Sequence, residues 1–245
     1  MTISTHVKDA AFRIVEVNGK TFSTAEWAFN ELWRMIVLRK LAPGQKVTEE
    51  TLSELLQISR TPLREAIRRL ENVGLLTKHR NRTLTVSVLS IDEAEELTLI
   101  REQLEALVAI KAAQNSHLNP VLVAEAWMLI YEMKVMRESP HSTTALLALG
   151  DKFHAKLFDI SGAERIRTIL SQVYLGIERY RLLMNENQNR AYDIVTEHEY
   201  IMSAVEKGDQ TAAEKAMRFH ISKARSLYIK ELTRVLEEQE DTSAT

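Results

Sequence analysis

Along most of this chain apolar residues recur at helical spacing, and in one place they alternate instead. Trp27, Leu32, Trp33 and Ile36 share a helical face that runs to about Arg39, behind Ser23-Thr-Ala-Glu26, a capping-box pattern. Leu41-Ala-Pro-Gly44 interrupts this helix. A second helix follows, capped by Thr48, with Glu49 and Glu50 in its first turn and Val47 stapled to Leu52, and it ends near Gln57. The third begins within Ser59-Arg-Thr-Pro62, with Thr61 as cap and Pro62 as first helical residue, and stops at Gly74. Its inward stripe is Leu63, Ala66, Ile67, Leu70 and Val73. Leu84, Val86 and Val88 then alternate with Thr85 and Ser87, opposite Leu75 to Lys78 across a turn at Asn81-Arg82, which predicts a small hairpin. From Ile91 onward the period is helical again, over about 92–115, 120–138, 142–160, 163–184, 190–206 and 210–236.

The expectation is a mainly α protein: three helices and a hairpin forming a winged helix-turn-helix over 23–90, then an antiparallel all-helical bundle of six or seven helices over 91–236. Residues 1–22 read as an N-terminal arm, with Phe12 to Val17 as a short strand or ordered segment, and 237–245 as a polar tail.

Composition supports helices: 45% of residues are hydrophobic and 27% charged, with 7 Gly and 4 Pro. The absence of cysteine excludes disulfides and thiolate metal ligands. Met1 to Lys20 lacks the unbroken apolar run of a signal peptide, and no stretch is long and uncharged enough to span a bilayer, so a cytoplasmic protein without a membrane partner is expected. The formal net charge of −2 hides an uneven distribution. Residues 33–82 carry eleven Lys or Arg against five Asp or Glu, while the rest of the chain is acidic. A basic segment on an acidic chain suits a nucleic-acid module joined to a domain that does not touch phosphate.

On the third helix, Arg60, Arg64 and Arg68 lie four residues apart and form one ridge opposite the apolar stripe, with Arg69 beside it and Ser59 and Thr61 at the amino end. Guanidinium groups so placed reach phosphates or guanine edges in a major groove. Lys78, Arg80 and Arg82 add positive charge to the hairpin, where a wing meets the adjacent backbone. A three-helix docking domain with a solvated arginine face fits the same charges. The run from Leu41 to Leu75, with its Ser-Arg-Thr-Pro-x-Arg-Glu-Ala core at Ser59 to Ala66, resembles the GntR family of winged-helix regulators. That resemblance implies operator contacts by Arg60 and Arg64, helped by Thr61 and the wing. Two positions depart from the family pattern: Arg39 or Lys40 stands where a glycine is usual, and Thr83 replaces the wing glycine.

In the helical region three histidines sit on apolar faces: His154 with Leu146, Leu147, Phe153 and Leu157, His198 with Ile194, Val195, Ile201, Met202 and Val205, and His220 with Ala213, Ala216, Met217, Ala224 and Leu227. Each buried imidazole must find a partner, and one shared Zn²⁺-like divalent ion would satisfy all three, with positions open for a ligand or water. Helices that only dimerise explain the same apolar faces without any ligand. Arg101 to Glu105, Phe153-His154 before Ser161-Gly162, and Glu197-His198 with Gly208-Asp209 and His220 resemble the FCD domain of the FadR subfamily. The resemblance implies a metal held by the three histidines and an aspartate, which helps to bind a small carboxylate effector. The family's aspartate position is Gly150 here, and Asp151 stands three residues before His154 instead of four. Arg101, spaced to pair with Glu105, matches an arginine of the family. It either holds an effector carboxylate or forms a buried ion pair. Tyr174 and Glu178, with Tyr180, are further candidates for the same cavity.

The expected function is therefore a homodimeric regulator that binds double-stranded operator DNA and is controlled by a small organic acid or sugar acid. The alternative is a metal-dependent hydrolase built on the three histidines. No paired carboxylate, nucleophile elbow or Gly-rich phosphate loop supports it, so no enzyme is expected.

Overall fold

The structure is a computed structural model that describes residues 23–80, 83–137, 143–184 and 189–243. The N-terminal arm, the wing turn at Asn81-Arg82 and the last two residues lie outside the described residues. The described chain divides into two compact units, one of residues up to Ser90 together with Gln172–Leu182, the other of Ile91–Ser171 and the residues from Leu183 onward.

The first unit begins with α1 (Thr24–Val37), whose N-cap Ser23 accepts from the Glu26 amide while the Glu26 side chain accepts from the Ser23 amide. This reciprocal pairing satisfies two donors that the first helical turn cannot. Strand β1 (Lys46–Thr48) leads into α2 (Glu49–Leu56), which Thr48 caps through the Thr51 amide. Gln57 adopts a left-handed conformation, φ 54°, to end α2 within one residue. Helix α3 (Arg60–Asn72) starts after Ser59, which is its N-cap. Thr61 and Pro62 therefore lie inside the first turn, and the cap predicted at Thr61 is corrected to Ser59. Proline is tolerated there because the first amides of a helix have no intrahelical acceptor.

Strands β2 (Leu76–Lys78) and β3 (Thr83–Val86) form the wing, with Leu76 opposite Val86 and Lys78 opposite Leu84. A third strand that the sequence pattern did not show, β1, pairs antiparallel on the other side of β3, with Val47 opposite Leu84, giving the order β1-β3-β2. Val88, read as part of the alternation, lies beyond β3 and is exposed. The buried core joins Phe29, Leu32 and Trp33 of α1, Leu52 of α2, Leu63, Ile67 and Leu70 of α3, and Leu76 and Leu84 of the sheet. Residues 172–182 complete this unit: Leu175 enters the same core, its carbonyl accepts from Trp33 Nε1 at 3.0 Å, and Arg179 donates to the carbonyls of Ser87 and Val88.

Among the described residues after Ser90 six α-helices follow, α4 (Ile91–Asn115), α5 (Pro120–Arg137), α6 (Thr143–Ser161), α7 (Glu164–Arg181), α8 (Asn189–Glu206) and α9 (Gln210–Ser243). In the second unit α9 packs along α4 and α8, and α6 lies between α4 and α5. The core includes Ala109 and Ala112 of α4, Ile130 and Met133 of α5, Phe153 and Leu157 of α6, Val195 and Ile201 of α8, and Met217 and Ile221 of α9. Helix α9 continues to Ser243, past the expected end near 236. Arg234 pairs with Glu231 and Glu238 one turn to either side, and such pairs carry a polar helix beyond its buried face. Among the described residues no helix is long and apolar enough to cross a membrane.

Candidate functional site

Among the described residues two constellations gather candidate side chains, one in each unit. On α3 the stripe Leu63, Ala66, Ile67 and Leu70 is buried, which turns Arg60, Arg64 and Arg68 outward on the opposite face. Ser59 and Thr61 are exposed at the start of the helix, and Arg80 is exposed beside the wing. Arg82 lies outside the described residues. Arg69 takes a different role: its guanidinium lies over the Phe29 ring, 4.0 Å from the centroid, and ties α3 to α1. An acid from the first turn of α2 lies within this basic face. Glu49 accepts from Arg64 Nε and from Lys78 Nζ, each at 2.8 Å, and these two cations hold its carboxyl below the usual carboxylate range. Arg60, by contrast, stands 3.8 Å from Glu50 with both side chains largely exposed.

In the second unit His154 (α6), His198 (α8) and His220 (α9) converge. All three are buried, and one ligand nitrogen from each lies within 4.8 Å of the others. The imidazoles are oriented from behind. Glu105 of α4 contacts His154 Nδ1 through Oε2, and Glu197 accepts from His220 Nδ1 at 2.7 Å. An ionised carboxylate only accepts, so the bond to Glu197 places a proton on His220 Nδ1, while Glu105 lies against His154 Nδ1 as an ion-pair neighbour. His154 Nε2 and His220 Nε2 then face each other at 3.3 Å. Two nitrogens bound to one ion at about 2.1 Å with a tetrahedral angle stand about 3.4 Å apart, so this pair has the spacing of a metal's edge. His198 Nδ1 lies 3.3 Å from Met133 Sδ, and its ring stacks beside Phe153. The donor set fits a divalent ion, which the three imidazoles would hold with carboxylates in the shell behind His154 and His220.

Asp151 is half-buried on α6 and does not belong to the group of ligand atoms formed by the three histidines. At Gly150 a Cβ would sit 3.4 Å from His198 Cε1, so the imidazole covers the glycine. Arg101 is buried and donates from Nε to Glu105 Oε1 at 2.6 Å, which links it through Glu105 to His154. Tyr174 and Glu178 lie in the part of α7 grouped with the first unit, where Glu178 accepts from Arg181 at 3.0 Å. Tyr180, in the same stretch, accepts from the Ser90 amide. Sequence reasoning missed Glu197 as a partner of His220, because the two are adjacent only through the packing of α8 on α9.

Known families match both parts of the chain. Residues 24–86 match the family described as bacterial regulatory proteins, gntR family, and residues 96–223 match the FCD domain. An uncharacterized HTH-type transcriptional regulator of Bacillus subtilis (strain 168), YdhC, is 27% identical over 194 residues, 79% of this chain and 86% of that protein. The HTH-type transcriptional repressor RspR of Escherichia coli (strain K12) is 25% identical over 193 residues, covering 78% and 82%. The solved structure of E. coli McbR/YncC superposes with a TM-score of 0.69 at 19% identity, covering 86% of this chain and 100% of that one, which shows a shared fold.

Proposed function

Because this chain belongs to the gntR family of bacterial regulatory proteins and carries an FCD domain, it is a helix-turn-helix transcription regulator, and we propose that a small organic acid bound beside a divalent metal in its helical domain controls its grip on operator DNA. The relatives are regulators and not enzymes, so the histidine cluster is read as a sensor and not a hydrolytic centre.

The observation that carries the reading is the convergence of His154, His198 and His220, with carboxylates set against the Nδ1 atoms of His154 and His220. A divalent ion such as Zn²⁺ supplies a Lewis-acidic centre with coordination positions left for a carboxylate. The chain's own residues do the rest. Glu105 and Glu197 orient two of the imidazoles, and Arg101 places a guanidinium behind Glu105, within one side chain of the metal position. Three nitrogens bring no negative charge to the ion, which favours an anionic ligand such as an organic or sugar acid. Asp151 is a further candidate ligand if its side chain swings toward the ion.

At the other unit, Arg60, Arg64 and Arg68 with Ser59, Thr61 and Arg80 form the face that enters the groove, supported by their exposure above a fully buried stripe. The protein acts as a homodimer on a two-fold symmetric operator. Apolar side chains left exposed along α4 and α5, among them Leu99, Leu107, Met128 and Tyr131, are the kind of surface that such dimers bury.

The test is a thermal-shift screen of organic and sugar acids against protein loaded with Zn²⁺ and against metal-stripped protein. An acid that stabilises only the loaded form is expected, by about 2.7 kcal/mol at a hundredfold excess over its dissociation constant. Equal shifts with and without metal would remove the ion from the sensing reaction.

A further inference from the structure

The acid in the middle of the basic face invites an explanation. Glu49 opens α2 and is 12% exposed, wedged between α3 and the wing, and each of its carboxylate oxygens takes one cation. Arg64 and Lys78 nevertheless remain 57% and 39% exposed, so both still reach outward. A negative charge here weakens attraction for a polyanion, and the helix N-terminus beneath it stabilises it only modestly.

The geometry of the Arg64 contact suggests what is gained. A guanidinium is planar with its donors in a fixed fork, and its Nε is the donor nearest the stem. With Nε held by Glu49 Oε2, the plane of the group is set and the two terminal amino groups remain. That terminal pair matches O6 and N7 of guanine, whereas an unrestrained arginine also takes any nearby phosphate. Through its other oxygen the same carboxylate fixes Lys78, so the recognition helix and the wing share one frame. Glu50, the next residue, offers the contrast: it carries the same charge, but its contact with Arg60 is long and solvent-exposed on both sides.

We propose that Glu49 is a specificity-determining positioning residue of the DNA-binding face, which holds Arg64 by Nε so that its terminal amino groups are presented to a guanine edge. This rests on the reading of α3 as the base-contacting helix.

The experiment uses the full chain and a pool of random duplexes, selected separately with the wild type, Glu49→Gln, Glu50→Gln and Arg64→Ala. Each protein is then titrated with the selected duplex, with single-base changes in it, and with an unrelated duplex. The wild type is expected to require a guanine that Arg64→Ala no longer requires. Glu49→Gln should lose about tenfold in discrimination at that base, while its affinity for unrelated duplex rises a few-fold from the lost negative charge. Glu50→Gln should show the same rise and keep the discrimination, which separates positioning from charge. Equal discrimination by the wild type and Glu49→Gln overturns the proposal, as does indistinguishable behaviour of the two glutamine variants. If Glu49→Gln does not fold, Glu49→Asp keeps the charge and shortens the reach. It should lose discrimination without gaining affinity for unrelated duplex, and unchanged discrimination there also overturns the proposal. A wild type that selects no sequence defeats the base-contacting reading of α3 itself.

Discussion

His154 and His220 present their Nε2 atoms to each other at 3.3 Å while Glu105 and Glu197 engage their Nδ1 atoms from behind. A ring that donates from Nδ1 to a carboxylate, as His220 does to Glu197, is left with an Nε2 that can bond to a cation. A divalent ion held by both Nε2 atoms would satisfy the two rings together.

Protein purified without chelator should therefore carry about one divalent ion per chain by elemental analysis. His198→Ala should remove it, and Glu197→Gln, which leaves every ligand in place, should weaken it about 10- to 100-fold in a chelator competition. Full metal retention in His198→Ala would refute the assignment.

Arg60→Ala combined with Arg64→Ala should cost at least about tenfold in operator affinity for each lost contact, measured by gel shift against a selected duplex. Both side chains are exposed, so the helical signal and the thermal midpoint should stay close to those of the wild type.

Leu63 is fully buried where α3 joins the core of the first unit. Leu63→Ala should destabilise that unit by about 2–5 kcal/mol in denaturant titration. Arg68→Ala, one turn on but facing outward, should change stability by no more than about 0.5 kcal/mol.

Glu49 titrates below its ordinary range because Lys78 and Arg64 hydrogen-bond to its charged form. A lowered folded value means that its contribution to stability is complete above the unfolded carboxylate's midpoint, about pH 4.3, and disappears as pH falls through the lower folded one. The stability difference between the wild type and Glu49→Gln, followed by thermal unfolding from pH 6 to pH 3, should shrink on the acid side. A difference that grows as pH falls would show that Lys78 and Arg64 do not favour the ionised carboxylate.

The sequence alone determined the helical frame of this regulator, because local chemistry sets it. The Ser23 and Thr48 caps, the stripe Leu63, Ala66, Ile67 and Leu70, and the change from a period of 3.6 to one of 2 at Leu84 are all written within a few residues of where they act. The same periodicity made it legible that Arg60, Arg64 and Arg68 face outward and that His154, His198 and His220 face inward. Tertiary structure decided what periodicity does not encode, namely which distant groups meet. Strand β1 is too short to carry an alternating signal and exists because Val47 finds Leu84 across the sheet. The pairing of Glu197 with His220, of Glu105 with His154, and of Glu49 with both Arg64 and Lys78 joins residues 15 or more positions apart. Those contacts follow from how helix faces pack, and packing is a property of the folded chain as a whole.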